Sequence, residues 1–271
     1  MEQIELLGNY QDIPKILTIK PIPTTSELEY VSAEDFDKVM LDKILPSAIQ
    51  DKIDPWQLLE IDYQWVCRCL RILNYGPYFT TNNIYCSNCG TVSSGEYRVN
   101  LNSISCKTLP EGFKNDVLIS RDEFIDFKGD IRLKLPTVKE MYNAERDSLF
   151  KYPSGEINRE LARICYMIKS WGTLSSVTPI DIRGKVLSEL SPADYCILRG
   201  KVKELTDYGL RAGGMTKCPN CGEMTGGFFA LADDKFFRPT LGDIKQWKYD
   251  RSQQKDDDTT GNSPRIIRAN S

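Results

Sequence analysis

The sequence predicts an α+β fold: a mainly helical domain with a small β portion that carries four cysteines. Three observations point there. Amphipathic segments recur at 55–74, 154–171 and 191–208, with apolar residues at helical spacing. The stretch 77–135 alternates in the manner of strands. Two cysteine pairs of one pattern, Cys86-Ser87-Asn88-Cys89-Gly90 and Cys218-Pro219-Asn220-Cys221-Gly222, lie far apart in the chain.

The elements follow in order. Residues 1–30 contain Ile16-Leu17-Thr18-Ile19 among Pro14, Pro21 and Pro23, and read as an extended, proline-punctuated arm that lies on another surface. Ser32-Ala33-Glu34-Asp35 resembles a capping box for a helix to about Ile44. Asp54-Pro55 supplies an N-cap and first-turn proline for the next helix. Its stripe is Leu59, Tyr63, Val66, Leu70 and Leu73, and it ends by Gly76. Strands are expected at 78–86, 96–104 and 131–135, where Ile131-Arg132-Leu133-Lys134-Leu135 alternates cleanly. Pro136 stops that strand, and Thr137 caps a helix to about Phe150.

Ile157, Leu161, Ile164, Ile168 and Trp171 predict one helix closed by Gly172. Thr178-Pro179 and Ser191-Pro192 each open another, the second carrying Tyr195, Leu198, Val202 and Leu205 on one face. Phe228-Phe229-Ala230-Leu231 and Phe236-Phe237-Arg238-Pro239 follow the second cysteine pair. Residues 250–271 include Lys255-Asp256-Asp257-Asp258 and have few apolar residues before Ile266-Ile267, the composition of a flexible acidic and polar tail. The expected organisation is an arm at 1–30, a clipped globular domain at 31–249 and a tail at 250–271.

Composition narrows the function. The charged fraction is 27% and the net charge −3, with a pI of about 5.3, so no basic surface for nucleic acid is apparent. No apolar run approaches the roughly 20 residues that span a bilayer. Met1-Glu2-Gln3 lacks the basic and apolar segments of a signal peptide, so a reducing cytoplasm is the expected compartment. There is no histidine, which removes Ser-His-Asp, Cys-His and HExxH chemistry. Neither a phosphate-binding P-loop nor a dinucleotide fingerprint is present. No enzyme is expected.

The nine cysteines divide into the two pairs and five others, Cys67, Cys69, Cys106, Cys165 and Cys196, which lie mostly among apolar residues as small buried hydrophobes. Both pairs read C-x-N-C-G. Two residues between cysteines let both sulfurs face one ion about 2.3 Å away, and the glycine permits the positive φ that turns N–H groups toward sulfur. Cys86, Cys89, Cys218 and Cys221 therefore make a zinc-ribbon-like, closed four-thiolate zinc site, with residues 90–217 between the pairs. The same ligands suit an iron–sulfur cluster, but the glycine-tailed knuckles favour zinc.

A long apolar helix leads into the first knuckle. Then come "IRLKLPT", "LSPADYCIL", "KCPNCG" and "FFALADDKFFRP". This order of features, over roughly residues 40–240, resembles the T4-like baseplate hub and tail-assembly family of contractile-tailed bacteriophages. The resemblance implies a non-enzymatic structural or assembly protein whose partners are other tail or baseplate proteins. It implies assembly in the host cytoplasm, with a place in the virion left open. The rival reading is a zinc-ribbon nucleic-acid-binding or transcription-related protein, which the acidic pI argues against.

Overall fold

The computed structural model describes residues 1–31, 33–86, 88–175, 177–210, 214–227 and 240–257. Expectations for Ser32, for the aromatic run at 228–239 and for the tail from 258 lie outside these residues. The described chain mixes helix and strand, with small sheets of two or three strands, as an α+β sequence requires.

Strands β1 (Glu2–Glu5) and β2 (Ile16–Ile19) pair antiparallel, and helix α1 (Thr24–Val31) follows. Asp35 caps α2 (Phe36–Val39) by accepting the Lys38 N–H at 3.1 Å. A π-helical turn at Met40–Ile44 continues into α3 (Leu45–Ala48). Pro55 opens only a 3₁₀ turn, so helix α4 (Glu60–Tyr75) starts later than Asp54-Pro55 suggested. Strands β3 (Tyr78–Tyr85) and β4 (Val92–Asn100) form a hairpin with an irregularity between Thr81 and Asn83.

Short strands β5 (Cys106–Lys107), β6 (Val117–Ile119) and β7 (Ile131–Leu133) lead to α5 (Val138–Ala144). Next come α6 (Arg159–Met167), β8 (Ile168–Trp171), α7 (Pro179–Glu189) and α8 (Pro192–Thr206). Strands β9 (Gly209–Leu210), β10 (Gly214–Lys217) and β11 (Met224–Gly227) precede α9 (Leu241–Asp257). No helix among the described residues is long and apolar enough to cross a membrane.

The chain divides into two compact units where one globular domain was expected. The first comprises residues 1–55, 64–108 and the described residues from 209 onward; the second comprises 56–63 and 109–208.

In the first unit the N-terminal segment is not an arm. Leu17 and Ile19 are fully buried, and Ile4, Leu6 and Tyr30 nearly so, in company with Leu41, Ile44 and Leu45. Pro14, Pro21 and Pro23 fall between elements, so they leave both strands intact. Strand β2 is tied down by Lys20 N–H to Ala48 O and Gln50 N–H to Thr18 O, both 2.9 Å, and by Thr18 N–H to Asp51 Oδ2 at 2.7 Å.

The same unit anchors α9. Thr240 and Asp243 cap it reciprocally, and buried Asp243 also accepts the Thr80 hydroxyl at 2.7 Å. The Tyr78 hydroxyl donates to Asp250, so residues 250–257 are the end of a docked helix rather than the start of a free tail. Gly76, at φ +81°, ends α4; a Cβ there would overlap the Trp247 indole. Arg71 is fully buried and donates to the carbonyls of Gly76 and Tyr78 at 2.9 and 2.7 Å. Burial lowers its guanidinium to about 10, against the opposing charge of Asp243.

The second unit packs α5–α8 with the antiparallel sheet β6-β7-β8. Thr137 with Glu140, and Thr178 with Asp181, form capping boxes, and Ser191 accepts the Asp194 N–H, as the sequence suggested. The helix expected to reach Trp171 stops at Met167. Ile168 adopts extended backbone, and 168–171 pair with β7. Ile168 and Trp171 are buried as strand residues, so the apolar spacing marks buried positions without marking a helix. Buried Asp194 gathers the N–H groups of Ile125 (2.6 Å), Asp126 (3.1 Å) and Phe127 (2.9 Å) and the Ser191 hydroxyl (3.1 Å). Burial pushes its carboxyl up, but these donors more than reverse that and leave it below the usual aspartate range.

Candidate metal centre

All four cysteines of the two knuckles fall in the first unit. The β3–β4 hairpin carries Cys86 and Cys89 in its turn, and the β10–β11 hairpin carries Cys218 and Cys221. The turns repeat the same bonds. Cys86 N–H donates to Thr91 O at 3.0 Å and Gly90 N–H to Cys86 O at 2.8 Å. Cys218 N–H donates to Glu223 O and Gly222 N–H to Cys218 O, both at 2.8 Å. Gly90 and Gly222 take φ of 68° and 74°. A Cβ at either would meet nothing within 4 Å, so the glycines serve backbone conformation and not close packing.

The four sulfurs lie within 4.8 Å of one another. Cys86 Sγ is 3.7 Å from Cys221 Sγ, and Cys89 Sγ is 3.8 Å from Cys218 Sγ. Sulfurs at about 2.3 Å from one tetrahedral ion are about 3.8 Å apart, so the cluster has the dimensions of a four-thiolate metal site. Among the described residues it is the one group of metal-ligating side chains of that kind. The donor set fits a soft or borderline cation and excludes the oxygen-seeking ones.

The site has an inner and an outer edge. Cys86 and Cys218 are buried, whereas Cys89 and Cys221 are exposed. The Cys89 N–H, ahead of other groups, lowers the Cys86 thiol. The Thr91 hydroxyl, then the Thr91 N–H and the Asn220 amide, draw Cys89 down to about 5. At Cys221 the Glu223 N–H and the Asn88 amide act in the same direction, but partial desolvation of the sulfur and its neighbours Cys218 and Cys86 carry it up to about 11. A divalent cation would relieve that crowding, because it takes all four sulfurs as thiolates.

The remaining cysteines play no part in this cluster. Cys67, Cys69 and Cys165 are buried, and burial pushes Cys69 and Cys165 up to about 12, which keeps them inert thiols. Sequence reasoning named all four clustered cysteines but gave no role to Asn88, Asn220 or Thr91. The shared asparagine of C-x-N-C-G was the available signal. Comparison with protein-family models, with curated proteins and with solved structures found no match.

Proposed function

We propose that Cys86, Cys89, Cys218 and Cys221 hold one structural zinc ion, fastening two hairpins as in a zinc ribbon, and that the chain is a non-catalytic structural or assembly component. The observation that carries this is the closed donor set. Four protein thiolates satisfy a tetrahedral ion and leave no open position for substrate or activated water. When bound, zinc would contribute folding free energy to the first unit and no chemistry.

The setting we propose is the baseplate or tail-assembly pathway of a contractile-tailed phage, with other tail proteins as partners. Support comes from the order of sequence features set out above and from the lack of histidine chemistry. The test is co-expression of the full chain with a panel of contractile-tail baseplate and tail proteins, followed by size-exclusion chromatography. A stoichiometric complex with one of them is the expected result. Binding instead to a mixed-sequence DNA duplex or single strand, weakening steeply with salt, would overturn it in favour of the nucleic-acid reading.

A further inference from the structure

The two exposed sulfurs are each covered from the opposite knuckle. Asn88 Nδ2 points to Cys221 Sγ at 3.7 Å, and Asn220 Nδ2 points to Cys89 Sγ at 3.6 Å. The asparagine is the same position in both C-x-N-C-G turns, so the bonds are reciprocal. One difference breaks the symmetry. Thr91 Oγ1 lies 3.2 Å from Cys89 Sγ and accepts the Asn220 amide at 3.1 Å, whereas Glu223 stands at the corresponding place of the second turn.

Resting on the metal reading above, we propose that Asn88 and Asn220 are positioning residues of the metal centre that govern how readily the ion leaves through its exposed Cys89–Cys221 edge. An N–H donor aimed at a thiolate withdraws charge from it without displacing it from the metal. The amide also occupies the approach that a chelator or electrophile needs. Because each amide comes from the other hairpin, it binds the knuckles to each other as well as to the ion. Cys89 has the Thr91 hydroxyl beside it in addition to the amide, so Cys221 is the sulfur from which opening begins.

The test uses the full chain purified under reducing conditions, as wild type, Asn88→Ala, Asn220→Ala and the amide-restoring Asn88→Gln and Asn220→Gln. Two quantities are read: the rate of zinc transfer to a chromophoric chelator, and the thiolate-to-metal charge-transfer band after exchange with cobalt(II). Both asparagines are exposed, so the far-ultraviolet circular dichroism should not change. The expected result is metal retained in each alanine variant, with transfer about 10-fold faster. The charge-transfer band should move to lower energy, because a thiolate without its donor gives up an electron more easily. Asn88→Ala, which uncovers Cys221, should act more strongly, and glutamine should restore part of both effects. A wild-type chain that binds one metal while both alanine variants match it in rate and spectrum overturns this proposal alone. A wild-type chain that binds no metal overturns the metal centre together with it.

Discussion

At the scale of single residues, the cysteines and a few buried polar groups decide most. Cys218→Ser removes one of four thiolates from a closed site. An ion held a thousandfold above its dissociation constant contributes about 4 kcal/mol, so the variant should lose its metal and melt roughly 10 °C lower. Elemental analysis and calorimetry check this. Every ligand must be a thiolate, so acidification should release the ion and raising the pH should restore it, which a chelator-free metal titration follows. Gly76→Ala asks an L residue to adopt φ +81° and pushes a methyl group into the Trp247 ring. A cost of about 1–3 kcal/mol and a changed tryptophan emission are expected. Asp194 tests the second unit. Its carboxyl is held below the usual aspartate value, so its contribution is present above that value and is lost as pH falls through the lowered one. The melting temperature of the wild type should drop on acidification below about pH 4, the ordinary aspartate range. Asp194→Asn should flatten that part of the profile while lowering stability at neutral pH. An unchanged profile in the variant would count against the role given to Asp194.

At the scale of elements, α9 is the informative case. Its Asp243 accepts from Thr80 and lies in the field of buried Arg71, and Trp247 closes over Gly76. Asp243→Ala should therefore cost about 1–3 kcal/mol, because it leaves the Thr80 hydroxyl and the first turn of α9 without their acceptor and weakens the field around Arg71. A loss under about 1 kcal/mol in denaturant titration would count against the anchoring role given to Asp243. The capped helices were legible, since Thr137, Thr178 and Ser191 are side-chain signals that act within one turn. The knuckles were legible for the same reason: C-x-x-C-G states its own geometry. What was not legible depended on tertiary contact. Residues 16–19 read as part of an arm, because only their pairing with β1, their bonds to residues 48–51 and the burial of Leu17 and Ile19 show that they belong to a core. Residues 168–171 read as helix because a buried strand and a buried helix end offer similar apolar spacing over four residues. The shared asparagine of C-x-N-C-G marks Asn88 and Asn220, but their bonds join turns far apart in the chain, so the pattern does not say which sulfur each one meets.

At the scale of the whole molecule, the chain comprises two compact units, and the four-cysteine cluster belongs wholly to the first. Removing the metal should then lower the stability of the first unit, while the capped helices and the β6-β7-β8 sheet of the second retain their own transition. Calorimetry with and without a strong chelator distinguishes two transitions, one metal-dependent, from a single transition that shifts as a whole. The central claim is that one zinc ion sits among four thiolates. It is tested most directly by zinc-edge X-ray absorption on the full chain, purified under reducing conditions without added metal. One zinc per chain with four sulfur neighbours at about 2.3 Å and no nitrogen or oxygen neighbour is the result expected. Protein without metal, or a first shell containing oxygen or nitrogen, would contradict it.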